Sequence, residues 1–236
     1  MKISTKERST SPEIMDDFDL RGEELKKTLK DLDKVNRWLG GNKITIDGID
    51  WLLKNGTFEA PLKVIDVGCG NGSLLKEVAQ FGRKEAVKME LLGVDANKHS
   101  IGIAKENTAG FPEIEFAALD VFSEEFRRLD ADIILCTLTL HHFSDSEIRK
   151  LLETFTKMAN LGIVINDLQR SKAAYYLFEA FCAAFINNEI NRKDGLTSIL
   201  RSFKKEDLEN YGSGLQVKEQ IINWKWAFRY QWILLK

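Results

Sequence analysis

Proline and cysteine are both scarce, with three of each in 236 residues. So few prolines exclude a proline-rich or collagen-like chain. The cysteines (Cys69, Cys136 and Cys182) are odd in number, scattered and without CxxC spacing, an arrangement that argues for reduced thiols rather than a disulfide framework. No apolar run approaches the length a bilayer-crossing helix needs. Met1 to Asp19 is polar and lacks the apolar core of a secretory signal, so the expected address is the cytoplasm. A surplus of positive charge is missing too: 34 Lys and Arg against 36 Asp and Glu leave a net charge of −2. That disfavours a nucleic-acid partner, whose phosphates select basic proteins. No internal repeat or low-complexity segment is visible.

What remains is ordinary soluble material, 44% hydrophobic and 30% charged, able to bury a sizeable core. The length suits one principal domain with a small accessory piece. Residues 1–20 read as an irregular polar arm. From Gly22 to Leu39 the residues Leu25, Leu29, Leu32, Val35 and Leu39 fall on one helical stripe, ended by Gly40-Gly41-Asn42. A short second helix is expected over Ile46–Leu53. This N-terminal helical arm, residues 1–61, either packs on the main domain or covers a site as a lid; the pattern alone does not separate the two.

From Leu62 strands alternate with helices. Strands are expected at Lys63–Val67, Glu90–Val94, Ile114–Ala118, Ala131–Cys136 and Gly162–Asn166, as short apolar runs suited to burial on both faces. Helices are expected at Ser73–Phe81, Lys98–Asn107 and Asp145–Ala159. The alternation implies an α/β fold with a doubly wound, Rossmann-like sheet. The last third breaks the rhythm. Residues 171–190 read as one helix dense in aromatics (Tyr175, Tyr176, Phe178, Phe181, Phe185), either buried or lining a pocket, within a cap insertion at about 169–205. Beyond it Ile222, Trp224, Trp226, Phe228, Tyr230, Trp232 and Leu234 alternate strictly. They predict two edge strands, Gln216–Ile222 and Phe228–Leu235, paired antiparallel around a turn at Asn223–Ala227.

The strongest motif is Val64-Ile65-Asp66-Val67-Gly68-Cys69-Gly70-Asn71-Gly72, placed after a strand and opening a helix. Glycines there let the chain turn sharply and let a ligand approach the backbone. The next strand ends at Asp95-Ala96, roughly twenty residues on, where an acid can accept hydrogen bonds from ribose hydroxyls. Loop and acid together indicate a nucleoside-containing cofactor. An acid at Asp66, beside the loop, would repel a pyrophosphate and suit an ammonium. The spacing Gly68-x-Gly70-x-Gly72 after Asp66 resembles the first motif of class I S-adenosylmethionine-dependent methyltransferases.

Two further stretches carry the resemblance. Ala118-Leu119-Asp120-Val121-Phe122 is similar to the family's adenine-side motif, and Cys136-Thr137-Leu138-Thr139-Leu140-His141-His142-Phe143 to the LHHF stretch of its small-molecule members. The resemblance implies a seven-stranded sheet of order 3-2-1-4-5-7-6 with an antiparallel last strand, spanning 62–236. It implies S-adenosylmethionine as cofactor and S-adenosylhomocysteine (SAH) as product. The implied contacts are Asp66, Gly68, Gly70, Gly72, Asp95, Ala96, Asp120, Val121, Phe122 and Thr137. Plainer roles stand beside these: Asp66 capping the following helix, Asp120 a turn residue, Cys69 a small loop filler.

The chemistry belongs beyond the carboxyl ends of the strands. His141 and His142 follow strand four and Asn166-Asp167 ends strand five. A hydroxyl acceptor must lose a proton as its new bond forms, and an imidazole, with an ordinary pKa of about 6.5, is suited to take it. His141, slightly preferred, or His142 is the candidate base, with Asp167 as its orienting partner. The plainer roles are a backbone-bonded or pocket-lining ring for the histidines and a strand-end cap for Asp167. Strand four ends in histidines rather than acids, so no metal is expected. Arg170, Tyr175, Tyr176 and Phe178 are the candidate acceptor-binding residues. The leading expectation is O-methylation of a small hydrophobic phenol or hydroxyl. The alternatives are C-methylation of a quinone-type ring, a non-catalytic cofactor-binding regulator, and a nicotinamide dehydrogenase.

Overall fold

The computed structural model describes residues 3–185 and 188–236. Its sheet has seven strands: β1 (Leu62–Val67), β2 (Met89–Asp95), β3 (Ile114–Ala118), β4 (Ala131–Thr137), β5 (Ala159–Leu168), β6 (Glu219–Lys225) and β7 (Arg229–Leu235). Their order is β3-β2-β1-β4-β5-β7-β6, with β1 to β5 parallel and β7 antiparallel to both its neighbours. This is the expected doubly wound sheet.

Period-two alternation sends the strand side chains into two cores. On one face Ile65, Val67, Ile134, Cys136, Ile163, Ile165 and Trp232 pack against Ile148, Leu151, Leu152 and Phe155 of α6 (Asp145–Met158). The helix begins where Ser144 accepts from Glu147 N–H and Glu147 reaches back to Ser144 N–H, a capping box that fixes its start. On the other face Val64, Leu91, Ile133, Leu135, Val164 and Ile233 meet α3 (Ser73–Lys84) and α2 (Gly41–Asn55). Ile49 and Leu52 of α2 are fully buried in that cluster beside Leu62, so the chain on either side of residue 61 shares one core. Before α2 runs α1 (Gly22–Trp38), packed on α2 and on α4 (Lys98–Asn107).

Several elements depart from the sequence expectation. The second helix starts at Gly41, five residues earlier than its apolar pattern suggested, because Gly40 alone, at φ 69°, makes the break. The aromatic helix over 171–190 is two helices: α7 (Lys172–Phe185) and α8 (Glu189–Arg201), the second capped by the Asn188 side chain. Residues 186–187 and the Phe185 side chain lie outside the described residues. Two short helices complete the chain, α5 (Glu124–Arg127) and α9 (Lys205–Gly212). The hairpin turn falls at 226–228, not 223–227: Lys225 pairs with Arg229 across it, and Phe228 takes φ 55°. Of the two hairpin strands β6 alone is an edge strand. β7 is buried along its whole length, since Arg229, Gln231 and Ile233, which alternate with the aromatics, lie under the N-terminal helices.

Candidate active site

Between β1 and α3 the chain turns through Gly68, Gly70 and Gly72 at φ 72°, 52° and 73°. At Gly68 a Cβ would stand 2.3 Å from Thr139 Oγ1, so nothing larger than glycine fits. The loop is held by β2: Gly68 and Cys69 N–H donate to Val94 C=O, and Gly70 N–H donates to Asp95 Oδ2 at 3.0 Å. The other Asp95 oxygen accepts from Asn97 N–H at 2.8 Å, which braces the start of α4. Asp66 is 2% exposed and has no hydrogen-bond or ion-pair partner among the described residues. Burial, with Asp95 nearby, pushes its carboxyl up to about 8. It does not cap α3, whose N-cap is Gly72 without a side-chain bond. A buried, unpaired acid beside a glycine cradle has the chemistry to receive a cation such as the ammonium of S-adenosylmethionine, whose charge would favour its ionised form.

The remaining sequence candidates for the cofactor sit along the same rim. Ala96 and Asp120 are exposed, and Val121 and Phe122 are half-buried against the β1–β4 core. Asp120 Oδ1 accepts from Phe122 N–H at 2.9 Å, a turn contact that leaves the second oxygen open to the rim. Phe122 meets Phe143 edge to face, with ring centroids 5.7 Å apart. Thr137 Oγ1 is bonded to Thr45 Oγ1 of α2 at 2.8 Å. Cys69 and Cys136 are buried, and their thiols are pushed well up by burial, so both are inert fillers.

Beyond β4 a short 3₁₀ turn, Leu140–His142, presents the two imidazoles. His141 is 2% exposed, with Nδ1 2.7 Å from Asp167 Oδ1, while its backbone N–H donates to Asp167 Oδ2 at 3.1 Å. Burial opposes ionisation of Asp167, yet the His141 imidazole and three hydrogen bonds hold its carboxyl below the usual range. His142 Nδ1 lies 2.6 Å from Asp16 Oδ1. The two rings tilt together with centroids 4.3 Å apart.

The N-terminal arm closes over these rings, which its irregular sequence did not announce. Glu13 Oε1 stands 3.6 Å from His141 Nε2, and Glu13 Oε2 stands 4.0 Å from His142 Nε2. Neither Glu13 Oε1 nor His141 Nε2 has a hydrogen-bond partner. Burial pushes the Glu13 carboxyl up to about 7, against the pull of His142, Ser198 and Arg201. Asp16 is held below the usual carboxylate range, because hydrogen bonds from His142, the Glu13 backbone and Arg201 outweigh its burial. The donor atoms of Glu13, His141 and His142 all lie within 4.8 Å of one another, a spacing that can also hold a cation. Arg201 of α8 binds the carbonyls of His141 and His142 and Asp16 Oδ2; Arg8 binds the carbonyls of His141, Phe143 and Arg201. The only signal for Glu13 and Asp16 in the sequence was a pair of acids at the spacing of a helix start.

The candidate acceptor residues are scattered. Arg170 is 3% exposed, its guanidinium committed to Thr5 and Ser202 carbonyls and to Asp207 Oδ2 at 2.9 Å. It clamps α9 and the arm to the end of β5, so its guanidinium is already engaged within the chain. Phe178 packs against Gly195 of α8 and Tyr175 meets Tyr176 edge to face, with Tyr176 itself 52% exposed. A residue that sequence reasoning passed over, Arg229, lies buried at the start of β7 with Nε and Nη1 unpartnered.

Comparison with known proteins places this site in a class. A family model described as a methyltransferase domain matches residues 59–210, well over half of the chain. Among curated proteins, a ubiquinone biosynthesis O-methyltransferase of Sinorhizobium medicae is 25% identical over 185 residues, 74% of this chain and 68% of that protein. One of the same name from Methylococcus capsulatus is 30% identical over 124 residues, and the match spans about half of each chain, 49% and 47%. Among solved structures, the plantazolicin methyltransferase BpumL in complex with SAH superposes with TM-score 0.64 at 15% identity, covering 89% of this chain and 90% of that one. The chain belongs to the methyltransferase-domain family and is a class I S-adenosylmethionine-dependent methyltransferase.

Proposed function

We propose that the protein transfers the methyl group of S-adenosylmethionine to the hydroxyl of a small, largely apolar acceptor, with His141 as proton acceptor. The observation that supports this best is the His141–Asp167 pair: Nδ1 is fixed on a buried carboxylate at 2.7 Å while Nε2 has no partner. A carboxylate on Nδ1 sets the tautomer that leaves Nε2 basic and stabilises the imidazolium that forms. The cofactor, once bound, supplies an electrophilic methyl group whose leaving thioether needs no proton. The chain then has to hold it, with Asp66 on the ammonium and Asp95 on the ribose, and to strip one proton from the acceptor.

Glu13 covers Nε2, so an acceptor reaches it only when the arm lifts. O-methylation accords with the two relatives above, both O-methyltransferases of ubiquinone biosynthesis. A second reading uses the same three donor atoms, Glu13, His141 and His142, to hold a cation that would activate the hydroxyl.

The test is transfer of labelled methyl from S-adenosylmethionine to a panel of phenols and catechols. His141→Ala is expected to lower kcat by about 10²- to 10⁴-fold while the SAH affinity changes by less than about threefold. Loss of SAH affinity with unchanged kcat would instead make His141 part of the cofactor wall. Overnight treatment with a chelator leaves turnover intact under the first reading and abolishes it under the second.

A further inference from the structure

Arg229 is a cation without a counter-ion. It is 2% exposed, and burial pulls its guanidinium down only to about 10, so it stays protonated near neutrality. Among the described residues its side chain takes part in no ion pair and no hydrogen bond, and its Nε and Nη1 are both buried and unpartnered. The nearest acid that feels its charge, Asp167, has both oxygens committed to His141 and to Leu168 N–H. Burying an arginine unpaired costs several kcal/mol, which a fold retains when something else supplies the anion.

Its surroundings say where that anion comes from. Arg229 pairs with Leu168, the last residue of β5, so it stands at the mouth of the sheet. Nη1 lies over Gly41 at the start of α2, next to Asn36 Oδ1: a Cβ on Gly41 would stand 2.8 Å from the first and 1.8 Å from the second. Asn36 Oδ1 and, on β5 two residues before Leu168, Asn166 Oδ1 are also buried without partners. Two unsatisfied acceptors beside two unsatisfied donors suit an oxyacid that also carries a hydroxyl. β7 lies three strand spacings, about 14 Å, from β1, whose glycine loop receives the cofactor. The position is thus on the acceptor's side of the mouth.

We propose that Arg229 binds a carboxylate of the methyl acceptor, so that the substrate class is a hydroxylated carboxylic acid. This rests on the methyl-acceptor reading above and narrows it. The guanidinium would hold the carboxylate through charge-assisted hydrogen bonds, leaving the acceptor's hydroxyl end for the His141 side of β5. The cofactor carries a carboxylate of its own, which is the competing source of the same chemistry.

Calorimetric titration of the SAH complex with 3,4-dihydroxybenzoate and with its methyl ester tests the proposal without requiring turnover. The acid is expected to bind and the ester to bind at least tenfold more weakly. Arg229→Met should cost the acid about 10- to 150-fold in affinity and leave the ester and SAH unchanged. Without ligand its Tm should equal or exceed that of the parent, because an unpaired buried charge has been removed. Asn36→Asp, nearly isosteric, should supply the missing anion within the chain: a higher Tm, no acid binding, and SAH affinity retained.

Equal binding of acid and ester, no binding of the acid, or acid binding unaffected by Arg229→Met overturns the proposal. So does a tenfold loss of SAH affinity in Arg229→Met, which would assign the arginine to the cofactor. A lowered Tm in both variants would make it structural and overturn the proposal too. Acid binding with no methyl transfer to any acceptor would instead sink the functional reading and leave this site standing.

Discussion

His141 and Arg229 stand on opposite faces of the β5–β7 pair, and each carries buried nitrogens without a hydrogen-bond partner among the described residues. His141 is completed on one side by Asp167, which accepts three N–H donors with two oxygens. Asp167→Asn would face those donors with only one accepting oxygen and a clashing amide. Its expected cost is about 1–3 kcal/mol of stability, a Tm drop of several degrees by thermal melting, together with a fall in kcat larger than that in SAH affinity. A second residue-scale prediction concerns Gly68, where positive φ and the approach of Thr139 coincide. Gly68→Ala should weaken SAH by tenfold or more in calorimetry, since either the loop or Thr139 must shift; unchanged affinity would mean the loop does not touch the cofactor.

Among the elements, the cofactor-binding half was legible because its signals are local. A glycine loop after an apolar run, an amphipathic helix and a second apolar run ending in an acid each announce themselves within a dozen or so residues. β3 and α4 fall at Ile114–Ala118 and Lys98–Asn107, the ranges their patterns give. What was not legible depends on partners far along the chain. Glu13 is called in by Ser198 and Arg201, and Arg229 is buried by a helix junction that lies nearly the whole sequence away. The hairpin misled for a related reason: period two reports which side chains share a face, not which strand is the edge. The arm itself is fixed chiefly by Arg8, which binds three carbonyls and Asp145 and stacks on Phe203 at 4.8 Å. Arg8→Ala is expected to lower Tm by about 3–8 °C, from the loss of charged hydrogen bonds, and to speed proteolysis of the arm. An arm as protected as before would show that Glu13 and Asp16 suffice to hold it.

For the whole molecule the buried acids set a pH dependence. The Asp66 carboxyl moves from 3.8 up to about 8 on folding, and that of Glu13 from 4.5 up to about 7. A group that holds its proton more tightly when folded favours the folded state below its folded pKa, and that advantage is lost as pH rises through the window between the two values. The ligand-free protein should therefore lose several degrees of Tm between about pH 5 and pH 8. Asp16 and Asp167, shifted the other way, change stability only below the ordinary carboxylate range. On the proposed role of Asp66 as partner of the cofactor's ammonium, binding requires the ionised carboxylate, so it should release a proton near pH 7 and tighten toward pH 8. Calorimetry in two buffers of different ionisation heat measures this directly; no buffer dependence would mean that Asp66 is already charged.

The seating of α2 has a bearing on how this protein can be re-engineered. The recognisable methyltransferase segment begins at residue 59, which invites a transplant joined there, with the N-terminal region borrowed from a relative of different acceptor taste. Yet Gly41 C=O and Thr45 Oγ1 of the borrowed part would have to meet the Asn166 amide, and Ile44 C=O the Gln231 amide. Gly48, with no room for a Cβ against Val164, would have to ride at the same height over the sheet. A chimaera that keeps residues 41–48 with β5 and β7 as one inherited block should fold; one that splits them at residue 59 should aggregate.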